Sequence, residues 1–312
     1  MDDGAEKHGD DCRAMALTDR STAGDDLPRR VLLATDLSAR CDRALDRAAQ
    51  LAGEWQAELI ALNVLDPAMS PDQTLAWARG ASDELLQATA QQQLARDLAA
   101  SRAQAELRLV RHPDTAAAIR DLARSSGSDL VVTGVSRNPV LGRLLLGSTV
   151  EQLARSLPKP LLVVRNRPLG AYRNILVATD FSSSSRHALL AAAASFPGRE
   201  LRLYHAHSPA MAGLSDAPIH ADIRLDDEHR ECADFIAASG LPADVRLRTV
   251  IEAGPIESML GTHVRRHDID LVVIGSHGRG GVMSLLLGST TARLLQWLPC
   301  DTMVVPEPLA RR

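Results

Sequence analysis

The chain has 312 residues, 45% of them hydrophobic and 24% charged, with a formal net charge of −4. That length has room for two domains of ordinary size, and the composition is that of a soluble globular protein. A mildly acidic balance argues against nucleic acid as a partner, whose phosphates call for a basic face, and there is no run of about 20 apolar residues to span a membrane.

In chain order, residues 1–28 come first, opening MDDGAEKHGDDC. They are polar, acid-leaning and without period, which predicts a disordered tail. They lack the charged-then-apolar order of a secretory leader, so the expected compartment is the cytoplasm. Cys12, Cys41, Cys232 and Cys300 lie far apart with no Cys-x-x-Cys spacing, as reduced thiols do in that compartment.

From residue 30 the pattern alternates. VLLATD (31–36) is a short continuous apolar run, the mark of a strand buried on both faces. Apolar residues then recur at helical spacing through Cys41, Ala44, Leu45, Ala48 and Leu51. A strand at 58–66, a helix at about 82–103, a strand at 106–111 and a helix at 115–127 closed by Gly127 follow. DLVVTG gives a fourth strand, 148–157 a helix stopped by Pro158, and PLLVV (160–164) a fifth strand. After the Pro- and Gly-bearing junction at 165–173 the series starts again: ILVATD, ELRLYHAH, a helix at about 220–239 ended by Gly240, DVRLRTV, a helix at 256–267, DLVVIG, a helix at 289–298 and DTMVV.

The chain is therefore written twice. Residues 30–45 recur at 174–189, an offset of 144, and residues 144–164 recur at 285–305, an offset of 141. Strands alternating with helices imply parallel sheets with helices on both faces. The expected class is α/β, with two tandem doubly wound domains at 29–168 and 169–312. Ligands on such sheets bind beyond the carboxyl ends of the strands, which directs attention to Asp180 and Gly275.

GSHGRGGVMSLLLGST (275–290) sits at that place. Glycines permit unusual backbone angles or the close approach of other groups. The helix that follows opens with unpaired N–H groups and partial positive charge, so phosphate is the expected ligand chemistry, with Ser289 capping the helix or offering its hydroxyl. No G-x-x-x-x-G-K-[ST] loop occurs, and no G-x-G-x-x-G follows the first strand.

Gly275, Gly278, Gly288 and Ser289, with nine residues between the second and third glycines, are similar to the G-x2-G-x9-G-[S/T] signature of the universal stress protein family. ATDFSSSSRHAL resembles that family's first strand and turn, and the resemblance spans both halves from about 30 to 306. It implies five-stranded sheets in the order 3-2-1-4-5 and, in many members, ATP, with or without Mg²⁺, in the cleft. Carried onto this sequence, Asp180 would sit by the adenosine, Ala206 would line the adenine pocket with its backbone, and Gly275, Gly278, Gly288 and Ser289 would hold the phosphates. The family also pairs domains through strand five, so PLLVV and DTMVV would pair within one chain. It implies a stress-response regulator whose occupied loop is read by a protein partner, with further pairing into homodimers open.

The halves differ. The first copy has Gly134 and then Arg137 where the second glycine stands, followed by Gly147 and Ser148. Arginine avoids positive φ, which predicts another loop path. Nucleotide binding is then lost or weakened in this half, or the Arg137 guanidinium replaces the glycine. Ser148 and Glu151 have the spacing of a capping box, and Gly254 has no glycine counterpart in the first copy. Asp36 and Asp180 are ligand contacts or helix caps. His205/His207 and His263/His267 have spacings open to a metal but lack the usual further ligands. Without an evident nucleophile and base, a slow ATP hydrolase with His277 in the active role, and a nucleotide-independent scaffold, remain the rival functions.

Overall fold

A computed structural model describes residues 27–39, 41–65, 83–99, 103–137, 144–145, 147–207, 218–278 and 287–307. The N-terminal tail, and Gly280 and Gly281 of the glycine-rich loop, lie outside them.

The first copy contains β1 (Arg30–Ala34), α1 (Asp42–Trp55), β2 (Glu58–Leu65), α2 (Asp83–Leu98), β3 (Ala105–Arg111), α3 (Thr115–Ser125), β4 (Leu130–Gly134), the short β5 (Ser136–Arg137) and β6 (Leu144–Leu145), α4 (Ser148–Ser156) and β7 (Leu161–Val164). The second contains β8 (Ile175–Ala178), α5 (Ser183–Ser195), β9 (Glu200–His207), α6 (Pro218–Ser239), β10 (Arg246–Ala253), α7 (Ile256–Arg266), β11 (Leu271–Gly275), α8 (Ser289–Trp297) and β12 (Asp301–Val305).

Ten strands form one sheet in the order β10-β9-β8-β11-β12-β7-β4-β1-β2-β3. Each half runs 3-2-1-4-5 by its own count of strands, with all pairs inside a half parallel. The halves meet in one antiparallel pair, β12 on β7, with Met303 opposite Leu162. The fifth strands thus cover each other's edges, and two sheets become one.

Burial follows from position in that order. β7, β11 and β12 are buried along their whole length, whereas the outer strands β3 and β10 alternate with exposed charged residues, as uncovered edges do. One core layer packs α1, α2, α5 and α6 against one face through residues such as Leu51, Leu94, Leu189 and Phe235. The other packs α3, α4, α7 and α8 through Ile119, Leu153, Leu260 and Leu294.

The seam carries a buried polar network. Asp301 Oδ1 accepts the backbone N–H groups of Arg165 and Asn166 at 2.8 and 3.0 Å, and Oδ2 accepts the Tyr172 hydroxyl at 2.7 Å. Arg47, from α1 of the other half, places Nε 3.4 Å from the same carboxylate and stacks its guanidinium 3.9 Å over the Tyr172 ring. Trp55 at the end of α1 donates to the Ser195 carbonyl at the end of α5 (2.9 Å). The buried Asp301 carboxylate is tolerated because it accepts three hydrogen bonds and is paired with Arg47.

Candidate functional site

The site grows from the point where β8 stops. Ala178 is its last residue; Thr179, Asp180 and Phe181 make the turn, and Ser182 caps α5 by accepting from the Ser185 N–H. Phe181 sits at φ 62°, a costly conformation for a bulky residue. Asp180 Oδ1 accepts the Ser182 N–H at 3.1 Å, and Thr179 Oγ1 accepts the Phe181 N–H at 2.9 Å. The turn is held by its own polar side chains, as Asx- and ST-turns are.

The loop after β11 packs directly on this turn. A Cβ on Gly278 would lie 2.7 Å from Asp180 Oδ2, and one on Gly275 would lie 2.8 Å from the Ser184 carbonyl carbon and collide with its hydroxyl. Gly288 donates to the Ser276 carbonyl at 3.0 Å, and its Cβ would meet the same oxygen at 3.4 Å. Ser184 Oγ accepts the His277 N–H at 3.2 Å, and Thr291 Oγ1 donates to the Gly275 carbonyl at 3.0 Å. None of these three glycines lies in the left-handed region. Close approach, and not backbone angle, is what requires glycine at 275 and 278, whereas a Cβ on Gly288 would make ordinary contacts.

Ala206 comes to the same crevice by strand geometry. Tyr204 accepts the Thr179 N–H across the β8 ladder, and His207 accepts the Gly254 N–H on the β10 side. Backbone groups alternate sides along a strand, so Ala206 turns its N–H and carbonyl toward β8, two residues past Tyr204, which faces the last residue of β8. The structure therefore brings Asp180, Ala206, Gly275, Gly278 and Gly288 to one end of the sheet, at the switch between β8 and β11.

Three sequence expectations need correction. Ser289 does not cap α8: Gly288 is the N-cap, Ala292 donates to its carbonyl, and Ser289 is an exposed first helical residue. The capping box in the first copy does not form either, because Gly147 is the N-cap of α4 and no side chain caps it. In both cases the helix starts one residue early, so the serine hydroxyl is past the cap position. The argument that Arg137 cannot copy Gly278 because of positive φ also fails, since Gly278 has no positive φ.

In the first half Ser136 and Arg137 form β5, antiparallel to Leu144 and Leu145 of β6; the matching stretch of the second half lies outside the described residues. Among the described residues nothing lies within 4 Å of a Cβ on Gly147, in contrast to Gly288. Asp36 Oδ1 accepts both the Ser38 N–H and the Ser38 hydroxyl, at 2.9 and 2.7 Å. Gly134 ends β4 and Ser148 opens α4, exposed like Ser289.

The histidines lie differently from what their spacing alone suggests. His205 and His207 both face Glu228 of α6, through Nε2 at 3.0 Å and Nδ1 at 2.8 Å, a partner the spacing did not reveal. On the other face of the sheet, His263 Nδ1 and the Tyr204 hydroxyl both meet Glu252, at 2.9 Å each. Burial pushes the Glu252 carboxyl up, but the His263 and Tyr204 hydrogen bonds and the neighbouring His263 and Arg266 charges outweigh it and hold the group below its ordinary value. No group of three His, Cys, Asp or Glu side chains that could hold a metal ion occurs among the described residues. His277 Nδ1 meets Ser276 Oγ at 2.8 Å, and its Nε2 is buried without a hydrogen-bond partner.

Comparison with known proteins agrees with this architecture. A universal stress protein A homolog of Coxiella burnetii is 26% identical over 142 residues, 43% of this chain and 94% of that protein. A universal stress protein of Mycolicibacterium smegmatis is 28% identical over 197 residues, 58% of this chain and 63% of the relative's own length. The fold is also that of a universal stress protein from Archaeoglobus fulgidus, with a TM-score of 0.59, 21% identity, and coverage of 88% of this chain and 97% of that one. The model of the universal stress protein family matches twice, over residues 28–165 and again over 171–306, and the chain belongs to that family, with two of its domains in tandem.

Proposed function

We propose that this chain is a cytoplasmic stress-response regulator that binds ATP in its C-terminal half, at 169–312, and that the 29–168 half is its scaffold. The observation that carries the reading is the seam in which Gly278 passes against Asp180 and Gly275 against Ser184, beside the start of α8. A side chain at either position would push the loop away from the Asp180 turn and α5, and with it the backbone N–H groups that a phosphate would meet. The donor set fits the ligand. Asp180 accepts from ribose hydroxyls, the Ala206 backbone meets the adenine edge, and Gly275, Gly278, Gly288 and the exposed Ser289 surround the phosphates at the positive end of a helix. Any Mg²⁺ arrives with the nucleotide.

The first half supports the asymmetry. Arg137 stands where Gly278 does and lies in a short strand, and Gly147 lacks the close packing of Gly288. Asp36, Gly134, Arg137, Gly147 and Ser148 thus form a weakened copy of the site. Binding without rapid turnover is favoured over hydrolysis, because the loop histidine His277 has Nδ1 on Ser276 and, among the described residues, a buried Nε2. The ordered loop is the surface that a protein partner reads.

Calorimetry with Mg·ATP, alongside Gly278→Ala and identification of any co-purified nucleotide, tests this. One site per chain, lost in the variant, is the expected result. Two sites would mean that Arg137 replaces the glycine. Absence of binding at millimolar ATP would overturn the reading in favour of a scaffold that needs no nucleotide.

A further inference from the structure

We propose that the C-terminal site is held in shape by a single proton shared between His205 and Glu228, with His205 as the residue that positions the Asp180 turn. This rests on reading that turn as part of the nucleotide site.

The hydrogen-bonding partners assign the proton. His205 Nδ1 lies 2.8 Å from the Thr179 carbonyl oxygen, which can only accept, so Nδ1 carries hydrogen. The first half makes the same bond with a different residue: Asn63 Nδ2 donates to the Thr35 carbonyl at 2.9 Å, and Asn63 and His205 both follow the residue that receives the turn's N–H. The other nitrogen, His205 Nε2, lies 3.0 Å from Glu228 Oε2. A neutral ring protonated at Nδ1 would present a lone pair to a carboxylate oxygen there. One further proton must lie between Nε2 and Oε2. His207 completes the cluster by donating from Nδ1 to Glu228 Oε1 at 2.8 Å.

His205 holds both neighbours of Asp180. It binds the carbonyl of Thr179 on one side, and on the other its ring stacks on Phe181 with centroids 4.4 Å apart and planes at 26°. Removing the shared proton leaves one N–H for two acceptors. The ring then keeps Thr179 and releases Glu228, or moves its hydrogen to Nε2 and releases Thr179. Either way α6 and the Asp180 turn lose their common anchor.

Among the described residues the charged surroundings are few. On β9 the facing group is His207, on α6 it is Glu228, and in the turn it is Asp180, with Oδ1 engaged by Ser182. β10 offers only Ile251 and Ala253 in register with His205 and His207. From α5, which packs beside β9, the half-buried titratable side chain is His187. Asp227 and Arg230 pair with each other on the exposed side of α6.

The first half supplies the control. His205→Asn installs the amide that Asn63 already uses, which anchors the carbonyl without titrating. Mg·ATP affinity is measured at about pH 6 and about pH 8, the interval over which histidine changes charge. The wild-type chain is expected to bind about tenfold more weakly at the higher pH, the effect of losing one charged hydrogen bond, and His205→Asn and Glu228→Gln to show a flat response. ATP's own titration is common to all three proteins. Nitrogen shifts of the histidine side chains, read on the nucleotide-free protein, are expected to report both His205 nitrogens protonated at the lower pH. Equal wild-type affinity at both pH values, or an unchanged pH response in His205→Asn, would overturn the proposal. If no variant binds ATP at either pH, the nucleotide reading fails, and the nitrogen shifts alone decide the proton: a singly protonated His205 at the lower pH overturns it.

Discussion

Two glycines of one loop should fail in different ways when each is given a methyl group. At Gly275 the new Cβ would lie 2.8 and 2.9 Å from the carbonyl carbon and oxygen of Ser184, which is backbone within α5. Ordinary contact is about 3.4 Å or more, so the helix or the strand must move by roughly half an ångström in a close-packed interior. Overpacking of this kind costs about 1–3 kcal/mol, and Gly275 and Ser184 are both buried, with no solvent side to relax into. At Gly278 the Cβ meets only Asp180 Oδ2, at 2.7 Å. A carboxylate rotates at a cost of about 0.5–1.5 kcal/mol, but the rotation takes Asp180 away from where a ribose would meet it. Gly275→Ala should therefore lower the midpoint of urea unfolding with unchanged slope and lower the melting temperature by several degrees. Gly278→Ala should melt within about 2 °C of wild type, since about 0.5–1.5 kcal/mol moves a chain of this size by roughly 1–2 °C, while losing Mg·ATP affinity by about tenfold or more. Equal destabilisation by both substitutions, or a stable Gly275→Ala, would refute the reasoning from close approach.

Asp301→Ala should destabilise the chain by about 3–5 kcal/mol, because it strands Arg47 and three hydrogen-bond donors in the seam; Asp301→Asn, which keeps the acceptor for Arg165 and Asn166, should cost less in the same urea titration. Acid should weaken the second half through the Glu252 cluster. Glu252 is held below its ordinary value of 4.5, so its stabilisation is present above that value and is lost as pH falls through the folded one. His267 is also lowered from 6.5, first by desolvation and then by the His263 charge, so stability is expected to fall as pH drops below about 6.5. Unfolding midpoints at successive pH values test both, and Glu252→Gln should flatten the lower limb. Residues 168–312 expressed alone expose the whole edge of β12 and leave Asp301 without Arg47; they should be less stable than the full chain and pair through that edge, which ultracentrifugation and thermal unfolding will report.

The legible parts of this fold are those whose cause is local. Runs such as VLLA and LVVI are apolar on both faces because they sit inside the sheet, and they appear as β1 and β11 at the expected positions. β10 was harder. The expected strand at 244–250 is found at Arg246–Ala253, because an edge strand mixes exposed charged residues such as Arg246 and Arg248 with half-buried apolar ones and has no apolar run to mark its end. The two-residue strands β5 and β6 carry no pattern at all. Gly-Ser at each helix start offered two adjacent cap residues, and pattern alone could not say that the glycine takes the role. Glu228 lies 21 residues from His207 on a helix whose other acids look the same in sequence. Only the packing of α6 selects it. The one clue was the repeat itself, which sets Asn63 against His205.

Unequal halves on a common sheet explain why a weakened domain is kept. The first half retains every strand, the order 3-2-1-4-5 and the turn at Asp36, and on the reading proposed above it lacks the features that a nucleotide would need. Arg137 stands in place of Gly278, Gly147 has shed its close neighbours, and a non-titrating Asn63 replaces His205. What it keeps is what the other half leans on. β7 covers the β12 edge, Arg47 neutralises Asp301, and Trp55 reaches the end of α5, the helix that begins at the Asp180 turn. Substitutions that degrade its own loop leave these contacts intact, whereas loss of the whole half would remove them together. On the proposed reading, a site in one half with its structural support in the other is then a stable outcome of duplicating a domain whose edge strand must be covered.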